Sequence, residues 1–248
     1  MYAGAMKDNQ TASRIVLDNV SHSYGETAVL HNLSLEVKPG ELVVLVGPSG
    51  CGKTTLLNLL SGHIKPVSGT VERDGIIRTV YQHDGLFPWL TVTENINMGL
   101  RSVTDTAQRK HELHELIELI HLQGFEHHYP HELSGGMRQR VELARVLAGD
   151  SDILLMDEPF SALDYQTRLR MRRELNRLLE KRPRTVVFVT HDIEEAAQLA
   201  DRVLVLSNRP ATISRELHIN APRPRDLTDV AVIEAMKAIL EELGLETK

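Results

Sequence analysis

Gly47-Pro48-Ser49-Gly50-Cys51-Gly52-Lys53-Thr54 stands between the apolar run Leu42 to Val46 and a helical pattern from Lys53 to Leu60. Glycines at this spacing let consecutive backbone N–H groups turn inward around a phosphate, and the helix that follows adds its positive end. Lys53 is expected to reach the β- and γ-phosphates of a nucleotide, and Thr54 to put its hydroxyl on Mg²⁺, with Thr55 beside it in the nucleotide site. The bland alternative is a plain glycine-rich strand-to-helix turn. A chance match in a chain this long has odds on the order of one in a hundred, and the flanking strand and helix lower them further.

Outward from that loop, three more short runs lack polar alternation and read as buried strands: Ile153 to Met156, Val186 to Val189 and Val203 to Leu206. Helical patterns at Tyr165 to Leu179 and Ile193 to Ala200 alternate with them, which predicts an α/β fold with a mainly parallel sheet. The first three strands lead into Gly47, Asp157 and His191, so three separated motifs are expected to meet at the carboxyl edge of the sheet. There Asp157 would hold Mg²⁺ through water and Glu158 would polarise an attacking water. Two adjacent acids at a strand end are also common in an ordinary polar loop, and it is the company of the phosphate loop that favours the chemical reading.

The remainder divides by pattern. Residues 1–14 form a polar extension, and Ile15 to Lys38 alternates as antiparallel strands do, closing with the turn Lys38-Pro39-Gly40-Glu41. About 90–150 reads as a helical insert, with periodicity in Glu112 to Leu122 and Met137 to Leu147. From Arg209 the chain carries Pro210, Pro222 and Pro224 and then a helical pattern over Val230 to Leu243, so 209–248 reads as a C-terminal appendage to a single domain spanning 15–248.

Composition narrows the function classes. A 248-residue chain with 42% hydrophobic residues can bury a substantial core, yet no apolar run approaches the roughly 20 residues that cross a bilayer. Any membrane role is therefore expected through a partner. The N-terminus lacks the basic-then-apolar order of an export signal, and the single cysteine, Cys51, has no internal partner, both of which fit the cytoplasm. A formal net charge of -6 argues against nucleic acid as the main partner. Basic residues concentrate between Arg168 and Arg184 at helical spacing and read as a solvated helix face. Six histidines from His111 to His131 lack cysteine or ordered acidic company and read as helix-surface residues rather than metal ligands.

Leu133-Ser134-Gly135-Gly136-Met137-Arg138-Gln139-Arg140 places a helix N-cap and two glycines ahead of a long helix, a second place fit for an anion. One nucleotide does not need two such places from one chain. Here the sequence resembles the ATPase subunits of ABC transporters, whose signature is this Leu-Ser-Gly-Gly run. The resemblance implies that Ser134, Gly135 and Gly136 cover the γ-phosphate held by the phosphate loop of a second copy, in a head-to-tail dimer. It further implies that Tyr24 stacks on adenine, that Gln82 senses Mg²⁺ and water and links the site to a permease, that Asp164 in Ser161-Ala162-Leu163-Asp164 crosses the dimer interface, and that His191 contacts the γ-phosphate and orients Glu158. The expected output is ATP hydrolysis coupled to transport, on the cytoplasmic face of the inner membrane.

Within that family the stretch Gly85 to Ile96 and the tail segments Ser207-Asn208-Arg209-Pro210 and Pro222-Arg223-Pro224-Arg225 look like importers of the nitrate, sulfonate and taurine group. Such importers imply transmembrane permease subunits and, indirectly, an extracytoplasmic solute-binding protein. Trp89 is expected to be exposed and to fill a permease-facing groove, against the plainer alternative of a core tryptophan in the insert. The segment between Gly69 and Gln82 is shorter than the group's pattern. Other classes weighed are a soluble ABC ATPase serving translation or DNA repair, which usually carries two cassettes or long coiled-coil insertions, and a regulatory ATPase that binds a membrane complex without moving solute.

Overall fold

The computed structural model describes residues 13–81 and 85–245. Gln82 lies outside them. The alternating N-terminal segment forms β1 (Ile15–Tyr24) and β2 (Thr27–Val37), an antiparallel pair, and β4 (Ser68–Arg73) adds to the other edge of β1. The turn into β3 (Leu42–Val46) closes with Glu41 N–H donating to the Lys38 carbonyl at 3.1 Å.

The main sheet also contains β5 (Ile77–Val80), β6 (Ile153–Asp157), β7 (Thr185–Val189), β8 (Arg202–Leu206) and β9 (Ile213–His218), in the order β5-β6-β7-β3-β8-β9. Every pairing is parallel except β8 with β9. Continuous apolar runs occur because both faces of this sheet are covered. In β3, Leu42, Val44 and Val46 enter one core while Val43 and Leu45 enter the other, and β6 splits in the same way. The first core lies under α2 (Val92–Gly99), α3 (Thr106–Leu119), α4 (Gly135–Leu147), α5 (Tyr165–Lys181), α6 (Ile193–Leu199) and α7 (Val230–Glu242). The second lies between the sheet, α1 (Lys53–Ser61) and the antiparallel strands.

Three readings change. The C-terminal stretch taken as an appendage begins with β9, which completes the central sheet, and continues into α7, which packs on α6. β4, β5 and β9 escape the sequence pattern because their side chains are mostly half-buried or exposed and carry no apolar run. The basic stretch is not uniformly a solvated face: Arg177 is exposed, but Arg172 is only 2% exposed and ion-paired to Asp192 and Glu195. Arg184 is likewise buried and donates to the carbonyls of Leu147 and Gly149 and to the Ser151 hydroxyl. Arginine satisfied in this way can enter a core that would reject it unpaired.

The helical stretch begins with α2, capped reciprocally by Thr91 and Glu94. Asn95, fully buried, accepts from Phe87 N–H at 2.9 Å and donates to the carbonyls of Phe87, Leu90 and Thr91. One amide thereby pins the preceding turn and leaves Trp89 68% exposed.

Candidate active site

The carboxyl ends of β3, β6 and β7 open onto a cavity of about 710 Å³. Ser49, Gly50, Gly52, Lys53, Thr54 and Thr55 line one side, Asp157, Glu158 and His191 another, and Tyr24 stands at the mouth. Gly47, Pro48 and Cys51 complete the loop behind them. At Gly52, φ is 123° and a Cβ would lie 2.8 Å from Val29 Cγ1, so close packing against β2 admits only glycine there. Lys53 is buried, and its ammonium donates to the carbonyls of Gly47 at 2.8 Å and Pro48 at 3.0 Å, folding the side chain back along the loop.

Asp157 closes β6 with little exposure, and Glu158 follows it in the left-handed region at φ 49°. Glu158 N–H donates to the Val189 carbonyl at 3.0 Å, which turns the carboxylate toward the loop after β7. There His191 Nδ1 lies 3.2 Å from Glu158 Oε2. The histidine's neighbours are fixed from behind. Thr190 Oγ1 donates to Glu195 Oε2 at 2.6 Å, and Asp192 caps α6 by accepting from the N–H groups of Glu194 and Glu195. Asp192 Oδ2 also accepts from Arg168 Nη1 at 2.9 Å and Arg172 Nη2 at 2.8 Å. Burial acts to raise the Asp192 pKa, but the Arg172 charge, the Glu195 N–H and Arg168 outweigh it and hold the carboxyl below its ordinary range. Glu195 moves the other way because burial dominates its partners.

Ser134 caps α4, accepting from Met137 N–H at 3.3 Å, and Asp164 caps α5, accepting from Thr167 N–H at 3.0 Å. Neither Ser134, Gly135 and Gly136 nor Asp164 lines the cavity; they gather at a separate edge, where a Cβ on Gly136 would lie 3.0 Å from the Ala162 carbonyl oxygen. The sequence reading did not single out Arg209. It lines the cavity, and its Nε donates to the Gly50 carbonyl across the phosphate loop. In the sequence it stands only within the tail segment Ser207-Asn208-Arg209-Pro210, and nothing along the chain brings that segment to the phosphate loop.

The sequence model described as ABC transporter matches residues 30–161, more than half of the chain. The chain belongs to the ABC transporter family. It is an ATP-binding, ATP-hydrolysing cassette of the kind that pairs with permease components. Its relatives include the aliphatic sulfonates import ATP-binding protein SsuB 1 of Rhodococcus jostii, 44% identical over 92% of each chain. Another is the nitrate import ATP-binding protein NrtD of Synechocystis, 44% identical over 80% of this chain and 78% of that one. The dimeric bacterial cassette MJ0796 superposes with a TM-score of 0.76 at 34% identity, covering 84% of this chain and all of that one. Its post-hydrolysis form with ADP and Pi gives 0.74 at 33% identity. Among the described residues of this cassette no helix is long and apolar enough to cross a membrane.

Proposed function

We propose that this ABC cassette powers an importer of small oxyanionic solutes of the sulfonate and nitrate class. It works as a head-to-tail dimer at the cytoplasmic face of the inner membrane, beneath transmembrane permease subunits fed by an extracytoplasmic solute-binding protein. Residues 15–248 act as one ATPase unit, with about 90–150 as its helical subdomain. Hydrolysis is supported by the Glu158–His191 contact on the wall of the cavity that Lys53 and Asp157 also line, and the solute class by likeness to sulfonate and nitrate import cassettes.

In this reading Tyr24 stacks on the adenine, a contact that uses the π-face and suits any purine. Lys53 leaves the Gly47 and Pro48 carbonyls to neutralise the β- and γ-phosphates. The Thr54 hydroxyl and Asp157 carboxylate are hard oxygen donors on one cavity, a set that fits Mg²⁺, with Gln82 as a further oxygen ligand. Bound there, Mg²⁺ supplies charge neutralisation to the phosphate oxygens. Glu158 accepts a proton from water as the water oxygen bonds to the γ-phosphorus and the bond to the β–γ bridging oxygen breaks, giving ADP and phosphate. His191 keeps Glu158 aimed and contacts the γ-phosphate. Ser134, Gly135 and Gly136 of one copy close over the nucleotide of the other, and Asp164 crosses the interface between them.

The test is co-purification of the chain with its permease, reconstitution with the solute-binding protein, and uptake of labelled taurine, alkanesulfonate and nitrate. ATP-dependent uptake of one of these is expected. Recovery with ribosomes or DNA, or permease binding without ATP-dependent uptake, overturns the importer reading.

A further inference from the structure

We infer that Gln139 is a positioning residue for hydrolysis: its buried amide holds the left-handed Glu158 peptide and ties it to the first turns of α4. This rests on the proposed action of Glu158 on water.

Gln139 is nearly inaccessible, and both ends of its amide are used. Its oxygen accepts from Ala162 N–H at 2.9 Å. Its nitrogen donates to the Glu158 carbonyl at 3.1 Å and to Ser161 Oγ at 3.2 Å. Ser161 adds its own N–H at 3.1 Å and its hydroxyl at 3.0 Å to the same Glu158 carbonyl. A residue with a Cβ stays at φ 49° only where its surroundings over-determine it. Here the N–H side is tied to β7 through Val189, and the carbonyl side to α4 through Gln139.

The position of Gln139 gives the contact a direction. Ser134 and Gly135, at the start of the same helix, are exposed and outside the cavity. Packed helices move as units rather than bend, so a displacement of that exposed turn is delivered by Gln139 to the peptide of Glu158 in the same chain. Whatever occupies the exposed turn thereby adjusts the aim of the carboxylate at the distant cavity. The link runs through one side chain and three hydrogen bonds, beside the packing of Gly136 on Ala162.

The experiment compares Gln139→Leu and Ser161→Ala in the full chain, with Glu158→Gln in parallel, measuring kcat, KM for ATP, fluorescent-nucleotide affinity and a melting curve. Gln139→Leu is expected to lower kcat roughly tenfold or more with KM and affinity within about twofold, the split that marks loss of an interaction made in the transition state. Ser161→Ala, at an exposed position, is expected to lower kcat about threefold with KM unchanged. A purely structural role for Gln139 moves the melting curve and leaves kcat per folded molecule intact, which overturns the inference, as does a fall in kcat matched by a rise in KM. Should Gln139→Leu not fold, wild-type kcat in Ser161→Ala is sufficient to overturn it. Normal hydrolysis in Glu158→Gln refutes the reading of Glu158 itself; slow hydrolysis there with wild-type kcat in the other two refutes this inference alone.

Discussion

His191 Nδ1 sits 3.2 Å from Glu158 Oε2, joining the loop after β7 to the end of β6. The contact holds the carboxylate against the loop that follows β7. Replacing Glu158 by Gln keeps the shape and removes the charge that accepts a proton, so nucleotide binding is expected to survive while hydrolysis slows by at least roughly a hundredfold. Unhydrolysed ATP then links two chains and shifts the monomer–dimer equilibrium by mass action, whereas ADP does not. Light scattering of Glu158→Gln with Mg²⁺ and ATP is expected to show dimer, and adding Ser134→Arg to abolish it. A monomeric single variant, or an equally dimeric double variant, contradicts the head-to-tail arrangement.

Lys53 is the one phosphate-loop side chain with a charge, and it already spans the loop through Gly47 and Pro48. Lys53→Ala is expected to abolish ATPase activity chiefly by weakening nucleotide binding. Equilibrium titration with a fluorescent nucleotide checks this; near-normal steady-state hydrolysis contradicts it.

Trp89 is largely exposed, with one side of its ring toward Phe87, on a turn that buried Asn95 holds through its backbone. Trp89→Ala is therefore expected to leave the melting temperature nearly unchanged while solute uptake falls relative to ATP hydrolysis. An unstable variant, or a stable one with normal uptake, counts against a permease-facing role.

Asp192 and Glu195 give the acid stability opposite signs. The depressed Asp192 pKa contributes stability that is present above the ordinary carboxylate range and is lost as pH falls through its folded value. The raised Glu195 pKa makes its charged form a cost at neutral pH, relieved as pH falls through its folded value toward the ordinary carboxylate range. Thermal melts followed from neutral pH down through the carboxylate range are expected to lose their steepest acid limb in Asp192→Asn. In Glu195→Gln the gain that precedes that limb is expected to disappear. An acid limb unchanged in Asp192→Asn assigns it to other groups.

Much of this arrangement is written locally. The phosphate loop, the buried strand before it and the acids at the end of β6 are each contained in a few consecutive residues, and their chemistry follows from residue type and spacing. The predicted strands of the central sheet fall within a residue of those observed, because a strand covered on both faces must be apolar throughout. The edge strand β9 carries no such mark, because only alternate side chains face a core.

By itself, then, the sequence determined the family and the α/β plan, since both rest on short-range pattern and on the backbone geometry that glycine and capping residues impose. Only the tertiary structure decided which polar side chains are buried and what they hold. Gln139 reaches the Glu158 peptide, Arg172 enters the core against Asp192, and Arg209 lies on the phosphate loop, because sheet closure and helix packing bring together residues far apart in the chain. A buried polar residue is tolerated only through those distant partners, and a pattern of neighbours along the chain does not contain them.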